Sequence, residues 1–144
     1  MNDLVADIVA FYRLFGMFER DRVCCGTVSV PQCVVLQTLL SDTWDVTSLS
    51  QHMRVTKGAT TRLVDGLEAR ELVKRTQDES DGRRHIISLT RAGRKEATRL
   101  AAMTEQAIAT IMEAIPACDR EQVARSVRQL RSAVEEVRDA LDCC

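Results

Sequence analysis

Between residues 48 and 91 the chain is too finely punctuated for one long helix and carries too many helix-capping residues for a sheet. Ser48 opens a short helix through His52-Met53, and Thr56 opens a second that runs to about Arg70. Leu72 to Thr76 and His85 to Leu89 then read as two strands. The segment that joins them, Gln77-Asp78-Glu79-Ser80-Asp81-Gly82-Arg83-Arg84, is polar, turn-rich and basic at its tip, so the strands close as a hairpin. Two short helices separated by a tight turn, followed by a hairpin with a cationic tip, restrict this segment to a winged helix-turn-helix.

The ends of the chain follow a different rule. Leu4, Ile8, Phe11, Phe15 and Phe18 recur at spacings of four and three, and Val123, Val127, Leu130, Val134, Val137 and Leu141 repeat the pattern near the C-terminus. Such stripes belong to long helices that pack on other helices. Leu100, Met103, Ala107, Ile108, Ile111 and Ile115 mark one more amphipathic helix, ended by Pro116, and Asp119 is placed to cap the last. Pro31 to Leu40 is a shorter apolar-rich helix stopped by Ser41-Asp42-Thr43. The predicted fold is mainly α with a small β-hairpin wing: a single domain over residues 1–144. Its winged helix-turn-helix occupies 31–91, and dimerisation helices occupy 1–22 and 92–144. The apolar stripes are too extensive to face water on an isolated chain, which predicts a symmetric homodimer.

A net charge of −1 conceals a basic middle. From His52 to Lys95 there are eleven Lys/Arg against six Asp/Glu, whereas the remainder carries −6. A cationic module on an acidic scaffold suits a polyanion, here double-stranded DNA with a pseudo-palindromic site that matches the dimer. The second short helix offers Lys57, Gly58, Thr60, Thr61 and Arg62 near its N-terminal end, where base edges are met. Gly58 permits close approach, the two threonines can bond phosphate or touch thymine methyls, and Arg62 can read guanine or hold phosphate. Leu63, Val64 and Leu67 face the core. The wing adds Arg83 and Arg84.

These residues resemble the MarR family of bacterial transcription regulators. The resemblance rests on Leu49-Ser50-Gln51-His52-Met53, Thr56 to Glu68, Leu72-Val73, the wing Asp78 to Arg84, and Leu89-Thr90-Arg91-Ala92-Gly93, and it extends to the flanking helices. It implies a dimeric DNA-binding repressor, not an enzyme, with an Asp two residues before an Arg that enters the minor groove. In this chain those are Asp81 and Arg83, and a narrow minor groove favours the inserted cation. Arg54 and Glu71 depart from the family, which commonly places Gly at both turns.

Members of the family respond to aromatic acids, to oxidants through a cysteine, or to metal ions, and cysteine is what this chain has in surplus. Six are present with only two histidines. The start of the chain has no basic, apolar leader and no stretch is long enough to span a membrane, so a cytoplasmic protein with reduced thiols is expected. Cys24 and Cys25 are adjacent, and consecutive Cα atoms about 3.8 Å apart are too close for a relaxed disulfide. Both sulfurs can still reach one soft ion. Cys33, following Pro31 near a helix start, supplies a third, and three thiolates suit a trigonal centre such as As(III) or Sb(III). Cys143-Cys144 is another vicinal pair, which leaves open a second site, a fourth ligand from the partner subunit or a frayed tail, and Cys118 reads as packing or a surface thiol. No C-x-x-C motif or cysteine-phosphate loop points to a thiol enzyme, and no cofactor is required. The expectation is a repressor released by a thiophilic metalloid at Cys24, Cys25 and Cys33. Oxidation of a cysteine or a small aromatic ligand stands as the alternative signal.

Overall fold

The computed structural model describes residues 2–21 and 28–141. Cys24, Cys25, Cys143 and Cys144 lie outside them, as do the side chains of Phe15 and Phe18. Among the described residues six helices and three short strands follow in the order α1 (Asn2–Asp21), α2 (Val30–Thr38), β1 (Trp44–Asp45), α3 (Val46–Met53), α4 (Lys57–Glu68), β2 (Val73–Gln77), β3 (His85–Leu89), α5 (Arg91–Glu113) and α6 (Arg120–Leu141). The fold is the mainly helical winged helix expected from the sequence. No described helix is long and apolar enough to cross a membrane.

Two compact units divide the chain, Met1–Ala102 and Met103–Cys144. The first holds the core. Val35, Leu36, Leu49, Val64, Leu67 and Ile87 are fully buried and bring α2, α3, α4 and the sheet together. Burying each such side chain contributes about 1.5–3 kcal/mol, so this cluster fixes how the helices sit on the sheet. In the second unit Arg120 donates from Nε to the Ile115 carbonyl (2.9 Å) and from Nη2 to the Glu113 carbonyl (3.1 Å). Those bonds satisfy carbonyls that the end of α5 leaves without helical partners.

The hairpin is antiparallel and in register from Val73 opposite Leu89 to Gln77 opposite His85. A third strand was not anticipated: β1 pairs with β3, Trp44 opposite Ile87, giving the order β1-β3-β2. The start of α3 also differs from the sequence reading. Its cap is Asp45, not Ser48, and Asp45 Oδ1 accepts from the Ser48 N–H at 2.9 Å. Asp, Thr and Ser all cap well, and the pairing of β1 with β3 decides among them by holding Asp45 extended.

Both turns around α4 keep the left-handed residue that glycine usually supplies. Arg54 has φ 59° and Glu71 has φ 58°. After α3, the Val55 N–H donates to the Ser50 carbonyl (3.1 Å) and the Arg54 N–H to that of Gln51 (3.3 Å). After α4, Leu72 donates to Leu67 (3.0 Å) and Glu71 to Glu68 (2.9 Å). These are Schellman motifs with a non-glycine residue in the left-handed position.

Gly93 fixes where α5 begins. A Cβ there would lie 1.7 Å from the Leu72 carbonyl oxygen, so only glycine lets the helix pass. Thr90 clamps the crossing: its N–H donates to the Leu72 carbonyl (3.1 Å), and its Oγ1 donates to the Glu71 carbonyl (2.6 Å) while accepting from the Gly93 N–H (2.9 Å). The Leu-Thr-x-x-Gly pattern is therefore a joint between wing and helix.

Candidate nucleic-acid interface

Thr56 caps α4 by accepting from the Ala59 N–H at 3.2 Å, which leaves Lys57, Gly58 and Arg62 exposed on its first turns. No atom lies within 4 Å of a Cβ built on Gly58, so the helix is open to a close partner on that side. Thr61 is half-buried. Thr60 corrects the sequence reading. It is fully buried, and its Oγ1 donates to the Thr56 carbonyl at 3.1 Å. Thr60, Val64 and Leu67 are spaced four and three apart and form the inward face, so Thr60 packs the helix and does not present itself to DNA.

The wing tip is built from Asx turns. Asp78 Oδ1 accepts from both N–H and Oγ of Ser80, at 3.0 and 2.8 Å. The Asp81 carboxylate accepts from the Arg83 N–H at 3.0 Å, and its carbonyl from the Arg84 N–H at 2.9 Å. Asp81 thus orients the backbone that carries Arg83. The Arg83 side chain is exposed and makes no ion pair among the described residues.

Arg84, expected beside it as a DNA contact, is already engaged. Its guanidinium bonds Asp45 and lies 3.8 Å from Asp78. The Ser48 backbone N–H, with Arg84 and the Ser48 hydroxyl behind it, holds the Asp45 carboxyl down at about 2. The Ser80 bonds lower that of Asp78. Sequence reasoning also missed Arg75. From β2 it reaches Asp65 at 2.6 Å and bonds Glu68, tying wing to recognition helix. The i, i+3 spacing of Asp65 and Glu68 on one helix face was the available signal.

Cys33 sits in α2 behind the cap Ser29, to whose carbonyl its N–H donates at 2.8 Å. It is 3% exposed, and its sulfur accepts from Gln37 Nε2 at 3.2 Å. The sequence placed this thiol near a helix start, with Pro31 as the first helical residue. Instead, Pro31 stands second in the helix and the Cys33 N–H is already bonded. Cys118 is exposed. Among the described residues no three His, Cys, Asp or Glu side chains are grouped to hold a metal ion.

The first turns of α4 are thus open, and the wing carries an arginine, Arg83, without an ion pair among the described residues. The sequence model of the MarR family matches residues 28–85, which run from the start of α2 into β3. The winged helix is thus of the MarR type. Solved structures agree on the fold over almost the whole chain. A MarR transcriptional regulator from Methanosarcina mazei Go1 superposes with a TM-score of 0.78 at 19% identity, covering 95% of this chain and 99% of that one. The transcriptional regulator BldR from Sulfolobus solfataricus gives 0.72 at 22% identity, over 91% and 94%. FabT of Streptococcus pneumoniae, solved in complex with DNA, gives 0.78 at 16% identity, over 94% and 96%. No curated protein sequence matches the chain. The MarR match covers the winged helix and leaves the chain's signal open to the chemistry of its own residues.

Proposed function

We propose that the chain is a homodimeric cytoplasmic repressor that grips a pseudo-palindromic operator and lets go when a thiophilic metalloid, arsenite or antimonite, fills a site made by Cys24, Cys25 and Cys33. The DNA-binding half is carried by one observation: Lys57, Arg62 and Arg83 are exposed on a winged helix whose inner face is fully packed. Arg83→Ala is expected to weaken operator binding by about 1–3 kcal/mol. Wild-type affinity for this variant, in a gel shift at fixed salt, would remove Arg83 from the interface.

Dimerisation is supported by apolar side chains left in water on the single chain. Leu4, Ile8 and Phe11 on α1 and Val127, Leu130 and Val134 on α6 are all exposed. Sedimentation at micromolar protein should give a dimer, and a stable folded monomer would defeat this part.

The effector is supported by the sequence of the thiols. Three sulfurs suit a soft trigonal ion, and metal(loid) binding needs no disulfide. The test is native mass spectrometry and DNA release with arsenite under reductant, compared with peroxide. Cys24→Ser, Cys25→Ser and Cys33→Ser should each keep DNA binding and lose arsenite release. Release by peroxide alone would assign the switch to cysteine oxidation.

A further inference from the structure

Arg84 stands next to the arginine assigned to the minor groove, yet its guanidinium points its bonds at protein. One carboxylate receives it. Asp45 Oδ2 pairs with Arg84 and also accepts from the Ser48 hydroxyl at 3.0 Å, while Oδ1 caps the backbone of α3 at Ser48. Asp45 is itself held in β1 opposite Ile86 of β3. A single side chain therefore links the edge strand, the first turn of α3 and the base of the wing. Across the wing, the Asp78 N–H donates to the Arg84 carbonyl at 2.9 Å, and the Asp78 carboxylate adds a second, longer approach to the Arg84 guanidinium.

Arg83 is thus bracketed. Its own N–H is bound by Asp81, and the next residue is anchored to the helix-turn-helix through Asp45. We propose that Arg84 is a positioning residue for DNA binding: its ion pair with Asp45 holds the wing so that Arg83 is presented to the minor groove. This rests on the reading of Arg83 as the inserted arginine. The Arg84 side chain is 51% exposed and that of Asp45 13%. With its arginine half in solvent the pair is screened and adds little to global stability, so its consequence lies in where the wing points.

A direct phosphate contact by Arg84 makes opposite forecasts, which gives the test its edge. The probe is a duplex selected from a random pool by the wild-type protein, titrated by fluorescence anisotropy over a salt series. If Arg84 positions the wing, Arg84→Ala and Asp45→Asn each weaken binding about three- to tenfold, as coupled members of one ion-pair network do. Asn keeps the helix cap, so Asp45→Asn isolates the charge. In an Arg83→Ala background, Arg84→Ala should add no further loss, either of affinity or of salt slope. If Arg84 instead binds phosphate, Asp45→Asn frees it and tightens binding, while Arg84→Ala lowers the slope by roughly 0.9 even in the Arg83→Ala background. Either result overturns the proposal. Wild-type affinity for Arg84→Ala and Asp45→Asn, with Arg83→Ala still impaired, rejects the latch alone. Wild-type affinity for all three rejects the wing reading beneath it as well. Arg84→Met, which keeps the aliphatic stem, replaces Arg84→Ala if melting curves show that the alanine variant unfolds.

Discussion

Replacing Gly93 by alanine drives a methyl group into the backbone of the turn before β2. The added carbon would sit 1.7 Å from the Leu72 oxygen, 2.7 Å from its carbonyl carbon and 3.2 Å from its Cα. An ordinary C···O contact is about 3.3 Å or more, so α5 or the turn must retreat by roughly 1.5 Å. Neither can yield alone, because the Leu72 N–H is locked to the Leu67 carbonyl and the Leu72 carbonyl accepts from Thr90. Retreat breaks the bonds of Thr90 to Leu72, Thr90 to Glu71 and Gly93 to Thr90, at about 1 kcal/mol each. It also loosens Ala97 and Leu100, both buried, by about another 1–2 kcal/mol. Alanine returns about 1 kcal/mol through helix propensity, for a net loss of roughly 3–4 kcal/mol. For a chain of this size that lowers the melting temperature by about 10–15 °C. Thermal melts by circular dichroism should be run at matched protein concentration, since any self-association shifts the midpoint. Gly58→Ala, with open space around the new carbon, serves as the control and should not destabilise. A Gly93→Ala midpoint within about 2 °C of wild type would refute the joint.

Thr60→Val is expected to leave operator affinity unchanged and alter stability by no more than about 1 kcal/mol, because the buried hydroxyl bonds only its own helix. A large loss of DNA affinity in a gel shift would return Thr60 to the interface. The Asp45 carboxyl titrates at about 2 when folded, below the usual value near 3.9. Its contribution is therefore full above pH ~4 and fades as the pH falls from there toward 2. Asp45→Asn should flatten that part of the acid-unfolding profile, and an unchanged profile would count against the carboxylate. Glu71→Gly relieves a left-handed side chain but loosens the unfolded state, so urea titration should show a gain between about 0 and 1 kcal/mol. A loss would mean that the Glu71 side chain does something further.

The helices and hairpin were legible because they are written in local patterns: the Thr56 cap, the apolar spacing of α4, and strands bounded by a polar loop. β1 was not. Two residues carry no periodicity, and Trp44 and Asp45 become a strand only by pairing with Ile87 and Ile86. The same pairing hid the α3 cap. At the interface, residue types were readable but their partners were not, since Arg84 finds Asp45 across 39 residues and Arg75 finds Asp65 across 10. Thr60 is different. Its spacing to Val64 and Leu67 was on view in the sequence, and the adjacent Thr61, about 100° further round the helix, is the one nearer the surface.

The two left-handed turns have a bearing on how such domains diverge. Each holds its shape through a pair of backbone bonds and, after α4, through Leu72 packing on the core. A side chain in that region costs about 1 kcal/mol or more, yet the chain carries one at both ends of α4. Geometry there is inherited by hydrogen bonds and apolar contacts, so a lineage can drift away from glycine without moving the helix. Arg54 places an exposed cation three residues before Lys57, raw material on which a new operator preference can be selected.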